Sequence, residues 1–135
     1  MRGFKYGFGA STHGGTMGYA RIKGYVANPT KRELKVELEF IVDTGAIYTV
    51  IPCSIAERLG LKEVGKRKFK IANGDVVEYP VAEAYVIIGE EGVTSLVVLG
   101  PEEAPPLLGA TTLELLGLQV DPVTKELKPL ELFLL

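Results

Sequence analysis

Asp43, Thr44, Gly45 and Ala46 stand in a row at the end of the most hydrophobic strand-like stretch of the chain, ELKVELEFIV. A carboxylate delivered to such a strand end can accept and return protons. Gly45 lets the backbone turn tightly or be approached closely, and Thr44 is a stiff β-branched residue whose hydroxyl can bond to another backbone. Together they can hold the carboxylate in one orientation against a second, identical loop. Other chemistries lack their parts. His13 is the only histidine and lies in a glycine-dense segment, so a Ser-His-Asp or Cys-His site would have to recruit it from there. Cys53, the only cysteine, follows Pro52 in apolar surroundings and is expected to be a small buried hydrophobe. Potential metal ligands form no cluster, and neither a metal nor an organic cofactor is expected. Glu90-Glu91 and Glu102-Glu103 read as solvated loop charges, and Lys66-Arg67-Lys68 as an exposed strand end.

The elements that must position Asp43 follow from patterning. YARIKGYVA is strand-like and ends in Asn-Pro turn chemistry. Residues 33–43 alternate with period two, placing Leu34, Val36, Leu38, Phe40 and Val42 on one face and Lys35, Glu37 and Glu39 on the other. IYTVIP is a further short strand ended by Pro52. SIAERLGL predicts a short helix capped by Ser54, with Glu57 three residues on and Gly60 at its end. KRKFKIANGDVVEYPVAEAYVII is a long hairpin turning at Asn73-Gly74, and TSLVVLG is another strand. The segment from Ala104 runs through a short buried strand into a helix around Thr111–Leu116, capped by Gly117. A last hairpin turns at Asp121–Thr124. The tally is mainly β with two short helices, which predicts a small closed or half-closed β-barrel.

The chain has 135 residues, enough for one domain with a single core. A net charge of −2 with scattered basic residues leaves no electrostatic footprint for nucleic acid or an anionic membrane surface. No apolar run approaches the ~20 residues of a membrane span. One cysteine permits no intrachain disulfide, so a cytoplasmic location is the default expectation. Residues 1–18 lack periodicity and the apolar core of a signal peptide. They read as a flexible extension, native or foreign to the chain, with Met17 as an alternative start; the domain proper is residues 19–135.

Asp43-Thr44-Gly45-Ala46, followed by Ile47, Tyr48, Thr49 and Val50, resembles the active-site loop of the retropepsin-like aspartic proteases. Leu107-Leu108-Gly109 resembles the family's apolar-apolar-Gly motif, whose strand threads behind that loop, and ATTLELLG sits where the family places its main helix. The hairpin tipped by Asn73, Gly74 and Asp75 occupies the position of the flap. The resemblance spans roughly Tyr19 to Val120 and implies an endopeptidase acting on extended polypeptide. It makes Asp43, Thr44 and Gly45 the catalytic loop, and Ala46, Ile47, Asn73, Gly74 and Asp75 the substrate-binding residues. Ile47, Val76, Val81 and Ile88 are expected to line pockets.

Aspartic proteolysis needs two carboxylates sharing a proton. The other aspartates, Asp75 and Asp121, fall in hairpin turns, so the resemblance implies a symmetric homodimer that pairs two copies of Asp43. Ala46 stands where pepsin-like relatives have a serine; losing that donor to the charged carboxylate predicts a mildly acidic activity optimum. Two features depart from the retroviral pattern: the flap tip is Asn-Gly-Asp instead of a glycine-rich run, and the chain ends in KPLELFLL. The alternative reading is a catalytically weak or inactive peptide-binding or dimerisation module on the same fold.

Overall fold

A computed structural model describes residues 20–132 and 134. The expected extension at 1–18, with His13, lies outside the described residues. Among the described residues nine strands and two helices follow in the order β1 (Ala20–Asn28), β2 (Lys31–Val42), β3 (Thr49–Pro52), α1 (Cys53–Leu59), β4 (Glu63–Lys70), β5 (Val76–Ile88), β6 (Glu91–Gly100), β7 (Leu107–Leu108), α2 (Ala110–Leu115), β8 (Leu118–Val120) and β9 (Leu127–Pro129). Among the described residues no helix is long and apolar enough to cross a membrane.

Strands β1 to β7 form one sheet in the order β1-β2-β7-β3-β6-β5-β4. β1 also pairs with β5 through Tyr25↔Ile87 and Val26↔Val86, so the pairings return on themselves and leave β4 outside the ring. The alternation of β2 survives as a gradient. Phe40 and Val42 are buried, Val36 and Leu38 half-buried, and Leu34 is exposed. The far end of the β1–β2 hairpin simply reaches past the core. Inside the ring, Val26, Phe40, Ile51, Val86, Ile88, Val97 and Leu108 are fully buried and pack with Leu59 of α1 and Leu118 and Leu127 of the final hairpin. Each such side chain contributes about 1.5–3 kcal/mol of transfer free energy.

β5 works in two environments. Its first residues, up to Pro80 opposite Lys66, pair only with β4, and from Val81 onward it also pairs with β6. The β4–β5 hairpin therefore projects from the sheet. Its tip is a five-residue loop, 71–75, closed by Ile71 N–H to Asp75 O at 2.9 Å and Gly74 N–H to Ile71 O at 2.8 Å. Asn73 and Asp75 brace it by exchanging bonds of 2.9 and 3.0 Å.

Helix α1 corrects three expectations. It starts at Cys53 with Pro52 at the N-cap, and no side chain caps it from within. Ser54 instead donates its N–H (3.1 Å) and its hydroxyl to Glu102, a residue of the β6–β7 connection. Glu102 is thus a bonded anchor for an otherwise unsatisfied helix N–H, and these donors hold its carboxyl below the usual carboxylate range. Cys53 is exposed, with its thiol 3.5 Å from the same carboxylate, because it opens α1 on the side of that connection while Ala56 and Leu59 turn to the core. The bond to Glu102 pushes the thiol's pKa up. The C-terminal end is as expected: Gly60 takes φ +66° and its N–H bonds back to Glu57 O.

Candidate active site

β2 hands the chain directly to Asp43. The parallel ladder with β7 extends one step beyond the strand: Ile41 N–H donates to Pro106 O at 2.9 Å and Asp43 N–H to Leu108 O at 3.0 Å. The carboxylate is then turned by its own loop. Gly45 N–H donates to Asp43 Oδ1 at 2.9 Å, and Ala46 N–H to Asp43 O at 3.2 Å. Oδ2 has no partner among the described residues, and Asp43 is only half-buried. The result is a carboxylate held by one oxygen and offered by the other.

Two threonines five positions apart show how the loop divides its labour. Thr44 is exposed and its hydroxyl has no partner among the described residues. Thr49 is fully buried and its Oγ1 accepts the Gly109 N–H at 3.0 Å. Behind Thr49 runs a chain of buried hydroxyls: Thr49 Oγ1 to Thr112 Oγ1 at 2.6 Å, then Thr112 Oγ1 to Ser95 Oγ at 2.9 Å. Ser95 donates to Leu96 O at 3.3 Å, so every hydrogen in the chain points the same way, from Gly109 towards Leu96. Sequence reading missed Ser95, Thr49 and Thr112. The available signal was hydroxyl residues inside otherwise apolar segments, which buried sites must satisfy.

Leu107, Leu108 and Gly109 lie beside the Asp43 loop. β7 is inserted between β2, to which it is parallel, and β3, to which it is antiparallel at Val50↔Leu107. Leu108 is fully buried and Leu107 half-buried. Gly109 tolerates no side chain, because a Cβ there would lie 2.5 Å from Tyr48 C and O. The close approach lets α2 dock its unsatisfied first turn on the loop: Ala110 N–H donates to Ala46 O at 2.7 Å and Thr111 N–H to Ile47 O at 3.0 Å. Three backbone groups of the 43–49 loop, Asp43 N–H, Ala46 O and Ile47 O, and the Thr49 hydroxyl are thereby fixed by residues 108–111.

Beside the loop opens an apolar cleft of about 480 Å³, between residues 45–48, the β4–β5 hairpin and the end of β6. Ala46 and Ile47 line it, Ile47 with 65% of its surface exposed. Tyr48, Phe69 and Tyr79 form an aromatic wall: the Tyr48 and Phe69 rings meet edge-on at 6.1 Å, and Phe69 and Tyr79 at 6.2 Å. Asn73, Gly74 and Asp75 occupy the exposed hairpin tip and are not among the lining residues. Two expected pocket residues are core instead. Val81 and Ile88 are fully buried, since β5 has entered the sheet by then, and Val76 is an exposed residue near the tip.

A second depression, on the Thr44 side, is lined by α2 and the final hairpin, including Ala110, Leu113, Glu114 and Leu130. Leu115 and Leu132 are exposed on the segments around it. The hairpin itself turns on Asp121. Its Oδ1 accepts the Val123 and Thr124 N–H groups at 2.8 and 3.2 Å and its Oδ2 meets Lys128 Nζ at 3.2 Å, all of which hold this carboxyl below its usual value.

A family model described as "gag-polyprotein putative aspartyl protease" matches residues 35–115, which contain the Asp43 loop, β7 and α2. No curated protein matches the sequence. Among solved structures, a retropepsin-like aspartic protease from Rickettsia conorii superposes with a TM-score of 0.55 at 24% identity, over 82% of this chain and 80% of that one. The EIAV protease complexed with the inhibitor HBY-793 aligns with a TM-score of 0.49 at 18% identity, over 76% of this chain and 91% of that one. The likeness to the Rickettsia structure is one of fold. With more than half of its length matched by the family model, the chain belongs to the gag-polyprotein aspartyl protease family, the retropepsin-like aspartic proteases.

Proposed function

We propose that this chain is an aspartic endopeptidase that works as a twofold homodimer, cutting extended polypeptide between two copies of Asp43. The observation that carries the reading is the half-anchored carboxylate: Oδ1 is fixed by Gly45 N–H, Oδ2 has no partner among the described residues, and an apolar cleft opens alongside. One chain supplies one such loop, so the pair requires a second copy across a twofold axis. Exposed Thr44, whose hydroxyl has no partner among the described residues, lies on the surface that would meet the partner loop. The depression beside it and exposed Leu115 and Leu132 continue that surface. In such a dimer the closed ring of strands acts as a small barrel, and the projecting β4–β5 hairpin is the flap that closes over substrate. A single exposed thiol suits a reducing, cytoplasmic setting.

Two carboxylates held close share one proton, because both cannot ionise together. The ionised Asp43 takes a proton from water as the water oxygen attacks the scissile carbonyl carbon. The protonated Asp43 gives its proton to the carbonyl oxygen, forming a neutral diol. The diol then gives a hydroxyl proton to the ionised carboxylate while the leaving nitrogen takes the proton held by the other carboxyl, and the C–N bond breaks. The pair ends in its starting, singly protonated state. No further group is needed for this cycle.

The test is cleavage of unfolded casein between pH 4 and 7, for wild type and Asp43→Asn, at several protein concentrations. Wild type should cut with a specific activity that rises steeply with concentration, and Asp43→Asn should not cut. Activity that persists in Asp43→Asn would overturn the assignment, and activity independent of dilution, in a protein that sediments as a monomer, would overturn the dimer.

A further inference from the structure

The lining of the cleft beside Asp43 contains a single charged residue, Lys68, among apolar and aromatic neighbours. Lys68 is exposed and has no hydrogen bond or ion pair among the described residues, although Glu78 lies opposite it across the β4–β5 ladder. Lys66, Arg67 and Lys70 on the same strand are exposed as well, so residues 66–70 of the hairpin are cationic in a chain whose net charge is −2. Basic residues on an edge strand also discourage strand-to-strand aggregation, and any of the four would serve that purpose. Of the four, only Lys68 is among the residues that line the apolar cleft.

We propose that Lys68 is a specificity-determining residue: the cleft takes an extended peptide whose apolar or aromatic side chain fills the cavity and whose acidic side chain, one or two positions away, meets the Lys68 ammonium. The aromatic wall of Tyr48, Phe69 and Tyr79 receives the apolar side chain. The unpaired cation at its rim then discriminates by charge, favouring carboxylates and repelling basic neighbours. This inference rests on the peptide-cleaving reading above, yet concerns binding and can be read without turnover.

The experiment uses full-length Asp43→Asn protein and fluorescein-labelled ten-residue peptides with one central Phe. A single Glu, Gln or Lys is placed at each of the two positions on either side. Fluorescence anisotropy gives Kd, and wild-type cleavage of the same peptides gives kcat/KM. At one position the Glu peptide should bind about two- to fivefold more tightly than the Gln peptide, the range expected of a solvent-accessible ion pair. High salt should erase the difference. Lys68→Met, which keeps the apolar stem, should remove the preference, and Lys68→Glu should turn it towards the Lys peptide. Equal Kd for Glu and Gln at all four positions, or a preference indifferent to both Lys68 variants, would overturn the inference. A charge preference without any wild-type cleavage would instead refute the catalytic reading and leave this one standing.

Discussion

The buried hydroxyl chain behind the Asp43 loop can be tested link by link. In Thr112→Val the side chain keeps its size, but Thr49 loses the acceptor that stood 2.6 Å away and Ser95 loses its donor at 2.9 Å. Ser95 keeps its bond to Leu96 O, so the new orphan is chiefly the Thr49 O–H. A buried donor left without a partner costs about 1–3 kcal/mol. Thr112→Val should therefore be destabilised by about 2 kcal/mol, and the melting temperature should fall by about 5–10 °C in a domain of this size. Thr49→Val strands a different group, the Gly109 N–H, at a similar cost of about 1–3 kcal/mol. In the double variant no Thr49 hydroxyl remains to be orphaned, so the costs should fall short of additivity by about 1–3 kcal/mol. Equilibrium urea unfolding of the four proteins, at one fixed protein concentration and with unchanged m values, measures that difference. Strict additivity, or a Thr112→Val protein within about 0.5 kcal/mol of wild type, would show that the three hydroxyls do not act as one chain.

Gly109→Ala places a methyl group 2.5 Å from the Tyr48 carbonyl, so backbone must move; overpacking of this kind costs about 1–3 kcal/mol, and both stability and casein cleavage should drop. A wild-type melting temperature with full activity would show that β7 does not seat against the loop this tightly. Acid should also find Asp121. Its carboxyl is lowered by the Val123 amide, then the Thr124 amide, then Lys128, so its contribution is complete above the unfolded value of ~3.9 and is lost as pH falls through the lowered native value. Melting temperature measured from pH 2 to 7 should thus fall more steeply in wild type than in Asp121→Asn, and parallel profiles would contradict the linkage.

What could be read in the sequence was local. The end of β2 at Asp43, the helix stop at Gly60 and the hairpin around Asn73-Gly74 are each specified by neighbours within a few residues. Leu107-Leu108-Gly109 was legible only through its resemblance, because two leucines and a glycine are ordinary core by themselves. The aromatic wall was not legible. Phe69 and Tyr79 lie on a hairpin that pairs only with itself, so which of its faces turns towards Tyr48 is decided by the tertiary placement of the whole hairpin. Val81 and Ile88 were misplaced for the same reason: one long strand changes surroundings at Pro80, and its alternation carries no mark of the change. Cys53, Ser54 and Glu102 meet across 48 or 49 positions of chain, a contact no local pattern announces.

The insertion of β7 also has a temporal side. The partners that fix the Asp43 loop lie far downstream, with 60 positions separating Thr49 from Gly109 and 63 separating it from Thr112. Closing a loop of that length costs about 3–4 kcal/mol of chain entropy before any contact is gained, and such distant pairings form slowly. On a ribosome, Asp43 emerges well ahead of Leu108, and a nascent chain stopped short of that point carries the aspartate with its loop unsupported. The setting of the carboxylate is therefore acquired late, together with completion of the sheet.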